Sequence, residues 1–395
     1  MNNSTLKNLG ITIVGVAVLA GILFYWQNLR GVRPAVNPPA ETDLKNDTPQ
    51  NTTGMPLKLP DGFSIEIFAK GLPGARVMAF DGSGNMWVSR TSAGVITQLE
   101  MKDGRVIAQH DIFRNLRKPH GLAFDYRTPG LLYFAEENKI TRVTLNSDDP
   151  GQKIADLPSG GGHFTRTLGF GPEDLRLYVS IGSSCNVCNE GDLRRAAVYS
   201  MNPDGSDFKK FASGLRNTVF FTWSYVDGRM WGTDMGRDNL GDNLPPEEIN
   251  ILAEGKDYGW PICYGNKVND RNFDKNQYIR DPCQDSEAPK VEMPAHSAPL
   301  GLAFVPEEGW PEDYWHDLIV AFHGSWNRSD PTGYKLVRVK LDSKGNFEEF
   351  EDFITGWLQG NTVLGRPVDV VFYNRGLYVS DDKSGVIYKI TSVDN

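Results

Sequence analysis

The chain has 395 residues, with 50 acidic against 41 basic side chains and 6 histidines, so its formal charge is -9. No basic tract appears, and that excludes a general nucleic-acid surface, which needs clustered Lys and Arg to neutralise phosphates. With 20 Phe, 14 Tyr and 9 Trp beside 41 Gly and 24 Pro, the composition favours strands and turns over helices, and an all-β fold with a large core is the expectation.

In chain order, residues 1–8 form a polar flank, and residues 9–29 read as a membrane anchor. The run Leu9 to Trp26 (LGITIVGVAVLAGILFYW) carries no charge, and its length lies at the short end of the roughly 17–25 residues that cross a bilayer as a helix. No small-residue cleavage site follows it, which favours an uncleaved anchor over a signal peptide. Lys7 before the run and Arg30 and Arg33 after it leave the orientation open by charge. Residues 30–56 form a Pro-rich linker with few large apolar side chains. The rest, 57–395, is the expected catalytic domain.

The cysteines number 4, an even count that suits two disulfides in an exported chain, on the periplasmic or extracellular side of the membrane. Cys185 and Cys188 lie in SSCNVCN, and Cys263 and Cys283 flank a long polar segment. A c-type haem would need His after the second Cys, where Asn189 stands. Zinc would need a second tight pair, which Cys263 and Cys283 do not make. Spacing leaves the disulfide pairing open.

From residue 57 a pattern recurs: a short apolar strand ending in Phe, a turn, and a second alternating strand. Its copies are VMAFDGSGNMWVSR, GLAFDYRTPGLLYFAEE, LGFGPEDLRLYVSIG, VFFTWSYVDGRMWGTD, GLAFVPEEGWPEDYWHDLIVAFHG and VVFYNRGLYVSDD. The marker residues are Phe80, Phe124, Phe170, Phe221, Phe304 and Phe372. Each copy is followed by a third strand such as GVITQLE or YKLVRVKL. Units of several strands repeating at about 45 residues predict a β-propeller, since one blade cannot bury both faces without neighbours. Copies at these markers predict six blades.

In such a blade the innermost strand starts on the face where the second strand ends, so those loops share one mouth. His120, His163, His296 and His323 fall there, with Arg76, Arg166, Arg216 and Arg366. Cationic donors around a central pocket suit an anionic or multi-carboxylate ligand, and an imidazole can change charge near neutral pH. His163, in the Gly-rich turn LPSGGGHFTRTLGF, is the candidate general base. The segment GTDMGRDNLGDNLPPEEIN offers oxygen ligands from Gly236, Asp238 and Asp242 to a hard cation such as calcium. No G-x-S-x-G elbow, P-loop or strand-linked G-x-G-x-x-G is present.

These strings resemble the quinoprotein glucose and sorbosone dehydrogenases, six-bladed propellers that use pyrroloquinoline quinone (PQQ). The resemblance spans most of 57–392 and rests on LPSGGGHFTRTLGFGPEDLRLYVSIGSSCNVC, LRN at 215–217, EEINILAEGKDYGWPICYG, PAHSAPLGLAF, HGSWNR at 323–328 and GRPVDVVF. SSCNVC and HGSWNR are most similar to the sorbosone dehydrogenase-like branch.

The resemblance implies that His163 takes a sugar hydroxyl proton while hydride passes to PQQ. It implies cofactor contacts from Arg216, Asn217 and Arg366, and a calcium site at the Gly236–Arg237 backbone. His120 would lie near the sugar, and Arg166 is the second substrate-side candidate. Gly162 and Val368 stand where glucose-type members carry an acid and an arginine, and Arg76, Arg237, His323 and Arg328 are the residues expected to compensate in holding the cofactor. Electrons would pass to a membrane quinone or a small cytochrome. Two other readings are a metal-dependent propeller lactonase or esterase, and a non-catalytic carbohydrate-binding propeller.

Overall fold

The computed structural model describes residues 18–20 and 50–392. Residues 18–20 are helical. The remainder of the expected anchor lies outside the described residues, and among the described residues no helix is long and apolar enough to cross a membrane.

Each copy of the repeat folds as one antiparallel sheet, and six such sheets form the propeller. Blade one runs Ala75–Phe80, Met86–Arg90, Val95–Lys102 and Arg105–Phe113 from axis to rim, and blade two runs Leu122–Phe124, Leu131–Glu136, Lys139–Thr144 and Gln152–Asp156. Blade three uses Leu168–Phe170, Leu177–Ile181, Ala197–Met201 and Lys209–Ser213, and blade four Thr218–Trp223, Met230–Asp234, Glu247–Leu252 and Val291–Met293. Blade five is Pro299–Phe304, Leu318–Phe322, Lys335–Leu341 and Phe347–Ile354. Blade six takes Pro367–Tyr373, Gly376–Asp381 and Val386–Ser392 from the C-terminal end, and its rim strand is Phe63–Lys70 from the start of the domain.

Middle strands such as Leu177–Ile181 and Leu318–Phe322 are buried along their whole length, because each blade is sandwiched between two others. The largest apolar cluster takes Val77 and Trp87 from blade one, Leu122 and Phe134 from blade two, Trp231 from blade four and Val320 from blade five. Burial of one such side chain is worth about 1.5–3 kcal/mol, so blade-to-blade packing is what holds the ring.

Two features differ from the sequence expectation. Residues 50–56, expected in the linker, are packed on blade six: the Ile65 amide donates to the Gln50 carbonyl at 2.7 Å and the Thr52 amide to the Ile65 carbonyl at 3.0 Å. The innermost strands of blades one, four, five and six also carry a register shift near their start, at 75/78, 218/220, 299/302 and 367/370. Such bulges re-aim side chains and increase the local twist. The long segment between Glu247–Leu252 and Val291–Met293 first runs beside the rim of blade three, where Lys256–Asp257 pairs in parallel with Lys209–Ser213.

Candidate active site

The turn before blade three is held from both sides. On the outside the Gly162 amide donates to the Ser184 carbonyl at 2.7 Å. Gly161, at φ +85°, lies so close that a Cβ would sit 2.6 Å from that carbonyl oxygen, so no larger residue fits there. On the inside Arg166 donates to the carbonyls of Thr165 at 2.6 Å, Pro158 at 2.7 Å and His163 at 3.1 Å. Arg195 reaches the Gly160 carbonyl at 2.6 Å.

The Arg166 side chain is 0% exposed. Both terminal nitrogens are spent on the turn and only the buried Nε is left without a partner, so this side chain, expected at the substrate, positions His163. His120, expected near the sugar, keeps its Nε2 without a partner. It is 0% exposed, its Nδ1 lies 3.3 Å from the Thr167 hydroxyl, and its ring packs 5.5 Å from that of Phe220. His296 is spent on the Gly241 carbonyl, 2.8 Å from its Nε2.

His163 has a different environment. Its Nδ1 is 3.0 Å from the Ser183 carbonyl and 2.8 Å from the Ser183 hydroxyl, and that hydroxyl donates to the Cys185 carbonyl at 2.7 Å. The pairing assigns the proton to Nδ1 and leaves a lone pair on Nε2. Burial, then the charge of Arg216, lowers the imidazole pKa to about 3, with Arg166 and Arg195 adding to the effect. The ring is therefore neutral and a proton acceptor throughout the physiological range.

Arg216 and Asn217 follow at the start of blade four, where Asp234 accepts both their amides at 3.0 and 2.7 Å. The Arg216 guanidinium donates to the Asn186 carbonyl at 2.8 Å, the Asn186 side-chain oxygen at 2.9 Å, the Met235 carbonyl at 3.0 Å and Asp238 at 3.2 Å. Asn217 Oδ1 is buried without a partner. Gly182 makes room for it, since a Cβ there would overlap Asn217 Oδ1 and approach the His163 Cβ to 2.7 Å.

Beside this pair the chain turns through Gly236 and Arg237. The Gly236 amide donates to Glu247 at 2.7 Å. The Arg237 guanidinium points away, onto Asp270 at 2.7 Å, so its backbone carbonyl is what it can offer a cation. Burial lifts Asp234 to about 6 and Glu247 to about 8.

Across the mouth a cavity of about 480 Å3 is lined by Arg76, Lys118, Phe164, His323, Arg366 and Asp382 among others. His323 has both nitrogens engaged, Nε2 at 3.0 Å from Asp382 and Nδ1 at 3.3 Å from Arg366. Arg76 meets the second oxygen of Asp382 at 2.7 Å. Burial pushes the Asp382 carboxyl up, but His323 and Arg76 outweigh it and hold it at about 2. Arg366 and His323 both line this cavity. Arg328 is corrected: it lies outside this lining, donating to the Ala295 carbonyl at 3.1 Å and to Asn243 at 3.3 Å, and it ties loops together.

Cys185 pairs with Cys188 and Cys263 with Cys283. The single thiol and carboxylate group with metal spacing among the described residues, Cys185, Cys188 and Glu190, is thereby closed to zinc. The residues that sequence reasoning passes over are Ser183, Asn186 and Asp382 as the partner of Arg76. Asn186 could have been noticed as the polar residue enclosed by the C-x-x-C ring.

The sequence pattern of the TrAA12-like family matches residues 57–393. The chain belongs to the TrAA12-like family. An uncharacterised protein of Borreliella burgdorferi is 31% identical over 355 residues, which cover 85% of this chain and 90% of that protein. A relative from Coprinopsis cinerea named pyrroloquinoline quinone-dependent pyranose dehydrogenase is 24% identical, and the match takes in 85% of this TrAA12-like chain and 54% of the fungal protein. The chain thus spans about half the length of that relative. Among solved structures, the holo form of the pyranose dehydrogenase PQQ domain from Coprinopsis cinerea superposes with TM-score 0.73 at 21% identity, over 87% of this chain and 99% of that one. The calcium structure of the Trichoderma reesei family AA12 enzyme gives 0.75 at 21%, over 87% and 100%. These likenesses establish the six-bladed fold.

Proposed function

We propose that this chain is a PQQ-dependent, calcium-assisted dehydrogenase that oxidises an aldose or a related sugar aldehyde or alcohol. The observation that carries the reading is His163: a neutral imidazole with Nδ1 anchored on Ser183, sharing Gly182 with Asn217 as a close neighbour, and next in the chain to Phe164, which lines the cation-rich cavity. The similarity to the Coprinopsis cinerea pyranose dehydrogenase and to the holo form of its PQQ domain supports it.

The residues fit the cofactor. PQQ is an aromatic tricarboxylate, and Arg76, Lys118 and Arg366 line the cavity with charges that complement carboxylates. The unpartnered Asn217 Oδ1 asks for a donor or cation. The Gly236 and Arg237 carbonyls, which follow Met235 and its amide hydrogen bond to the Asn217 carbonyl at 3.3 Å, suit a hard cation, and the Trichoderma reesei neighbour has a calcium structure. Bound PQQ would supply the acceptor for the hydride leaving the sugar carbon, and Ca2+ the charge that polarises it.

The chain's own part is proton removal and orientation. His163 Nε2 takes the proton of the sugar hydroxyl, and the nearby arginines favour the neutral, accepting ring before the step. Afterwards the imidazolium must pass its proton to solvent. Segment 9–29 and the polar linker support a membrane-tethered, outward-facing enzyme that passes electrons to a membrane quinone or small cytochrome.

The test is dye reduction by the full chain with PQQ and Ca2+ added singly and together, over a panel of aldoses and sugar aldehydes. Reduction that requires both is the expected result. No reduction, with an unchanged PQQ spectrum on mixing, overturns the proposal.

A further inference from the structure

On the reading above, His163 and Arg216 have separate tasks, yet one short loop holds both. Residues 183–188 belong to no strand and are closed by the Cys185–Cys188 disulfide. At the loop's start Ser183 anchors His163 Nδ1 through its carbonyl at 3.0 Å and its hydroxyl at 2.8 Å. That hydroxyl is fixed in turn by the Cys185 carbonyl at 2.7 Å. The Ser183 amide donates to the Arg216 carbonyl at 2.8 Å.

Inside the disulfide ring, Asn186 takes the Arg216 Nε proton on its carbonyl at 2.8 Å and an Nη2 proton on its side-chain oxygen at 2.9 Å. The same oxygen accepts the Asp238 amide at 2.7 Å, and the Asn186 amide group donates to the Asp238 carbonyl at 3.1 Å. The Asp238 carboxylate then bridges Arg216 at 3.2 Å and Asn327 at 2.7 Å. A guanidinium has five N–H donors, and these contacts with the Met235 carbonyl occupy all but one. Its direction is therefore set before any ligand arrives.

We propose that the disulfide-closed loop 183–188 is a single positioning element that registers the base against the cofactor-side arginine, with Asn186 as its positioning residue. The proposal rests on the dehydrogenase reading for what the register serves. The geometry makes a definite prediction: opening the ring or removing the Asn186 amide frees Arg216 to swing outward. The positive charge beside His163 then falls, leaving Arg166 and Arg195 as the cations facing the ring.

The experiment compares the full-length wild type, Asn186→Ala and the double variant Cys185→Ser/Cys188→Ser. One measurement follows the His163 ring nitrogens by NMR against pH without cofactor, and the other titrates PQQ in the presence of Ca2+. The thermal midpoint of each protein is recorded alongside. In both variants the His163 midpoint is expected to rise by roughly one pH unit, as removal of a nearby like charge requires. PQQ affinity should fall about tenfold, the scale of a lost hydrogen bond to a charged group.

Asn186→Ala, which keeps the disulfide, decides the matter if the double variant fails to fold. A His163 midpoint unmoved in Asn186→Ala overturns the coupling even if PQQ affinity drops. A moved midpoint in a chain whose wild type takes up no PQQ upholds the coupling and sinks the cofactor assignment instead.

Discussion

His163 is a base because of where it is buried. Desolvation penalises the imidazolium, and Arg216, Arg166 and Arg195 penalise it again, which gives a pKa of about 3. The pH profile of kcat/KM should therefore lack the acid limb near the ordinary histidine value and keep full activity as pH falls through 6 and 5. A limb centred near 6.5 in steady-state assays would show that the ring is not so held. His163→Ala should lower kcat by about 10²–10⁴-fold, the usual worth of a positioned base, with PQQ affinity near that of wild type, since the ring meets substrate. A stability consequence follows from the same shift. The folded pKa is depressed below the unfolded one, so the stabilisation is present above about 6.5 and is lost as pH falls toward the folded value. Relative to His163→Gln, the wild type should lose about 3 kcal/mol between pH 7 and pH 4, read as the change in the urea-unfolding difference. An equal slope for both proteins would refute the buried neutral ring.

At the scale of elements, loops from blades three, four and five meet over Arg216, and a fourth element, the stapled excursion after Glu247–Leu252, meets Arg237 through Asp270. The Arg237 and Asp270 side chains are 12% and 3% exposed, so neither charge has water to fall back on. Asp270→Ala should cost about 3–5 kcal/mol, as breaking a buried pair from one side does. Asp270→Asn, which keeps an acceptor, should cost less; chemical denaturation measures both, and a loss under 1 kcal/mol for the alanine variant would mean the pair is solvated. The sequence made the three inner strands of each blade visible, because GVITQLE or YKLVRVKL alternates within reach of its own turn. It did not reveal the aim of individual side chains. His120 and Arg166 occupy the same place in the repeat as Asn217, and all three are buried, yet the Arg166 guanidinium is turned back onto the turn before blade three while Asn217 Oδ1 is left without a partner. What decides is the local set of carbonyls at Pro158, His163 and Thr165, and no periodicity encodes that. Asn186 is visible as the polar residue inside the C-x-x-C ring, but its importance lies in partners at 216 and 238 that only the fold brings near.

For the whole molecule the decisive contact is the ring closure. A propeller whose last blade lacked its rim strand would expose the edge of Val386–Ser392, a row of unpaired amides and carbonyls open to intermolecular pairing. Phe63–Lys70 covers that edge in antiparallel register from Phe63 opposite Ser392 to Lys70 opposite Val386. It also brings Phe63 and Ile65 into the core of blades five and six, at 1% exposure each. Local patterning does not announce this pairing, because its partners lie at opposite ends of the domain. Residues 50–56 extend the closure, with Asn51 donating to the Met55 and Leu57 carbonyls at 2.7 and 3.0 Å. Phe63→Ala tests the closure without shortening the chain. Its ring packs at 5.0–5.2 Å from those of Trp310, Tyr314 and Phe353 of blade five, so truncation should cost about 3–5 kcal/mol. Because the same strand seals blade six against blade five, hydrogen exchange should quicken along Val386–Ser392 before it does in blades two and three. Uniform quickening around the ring would mean that the closure is no weaker than the other blade interfaces, and this account of the propeller's stability would fall.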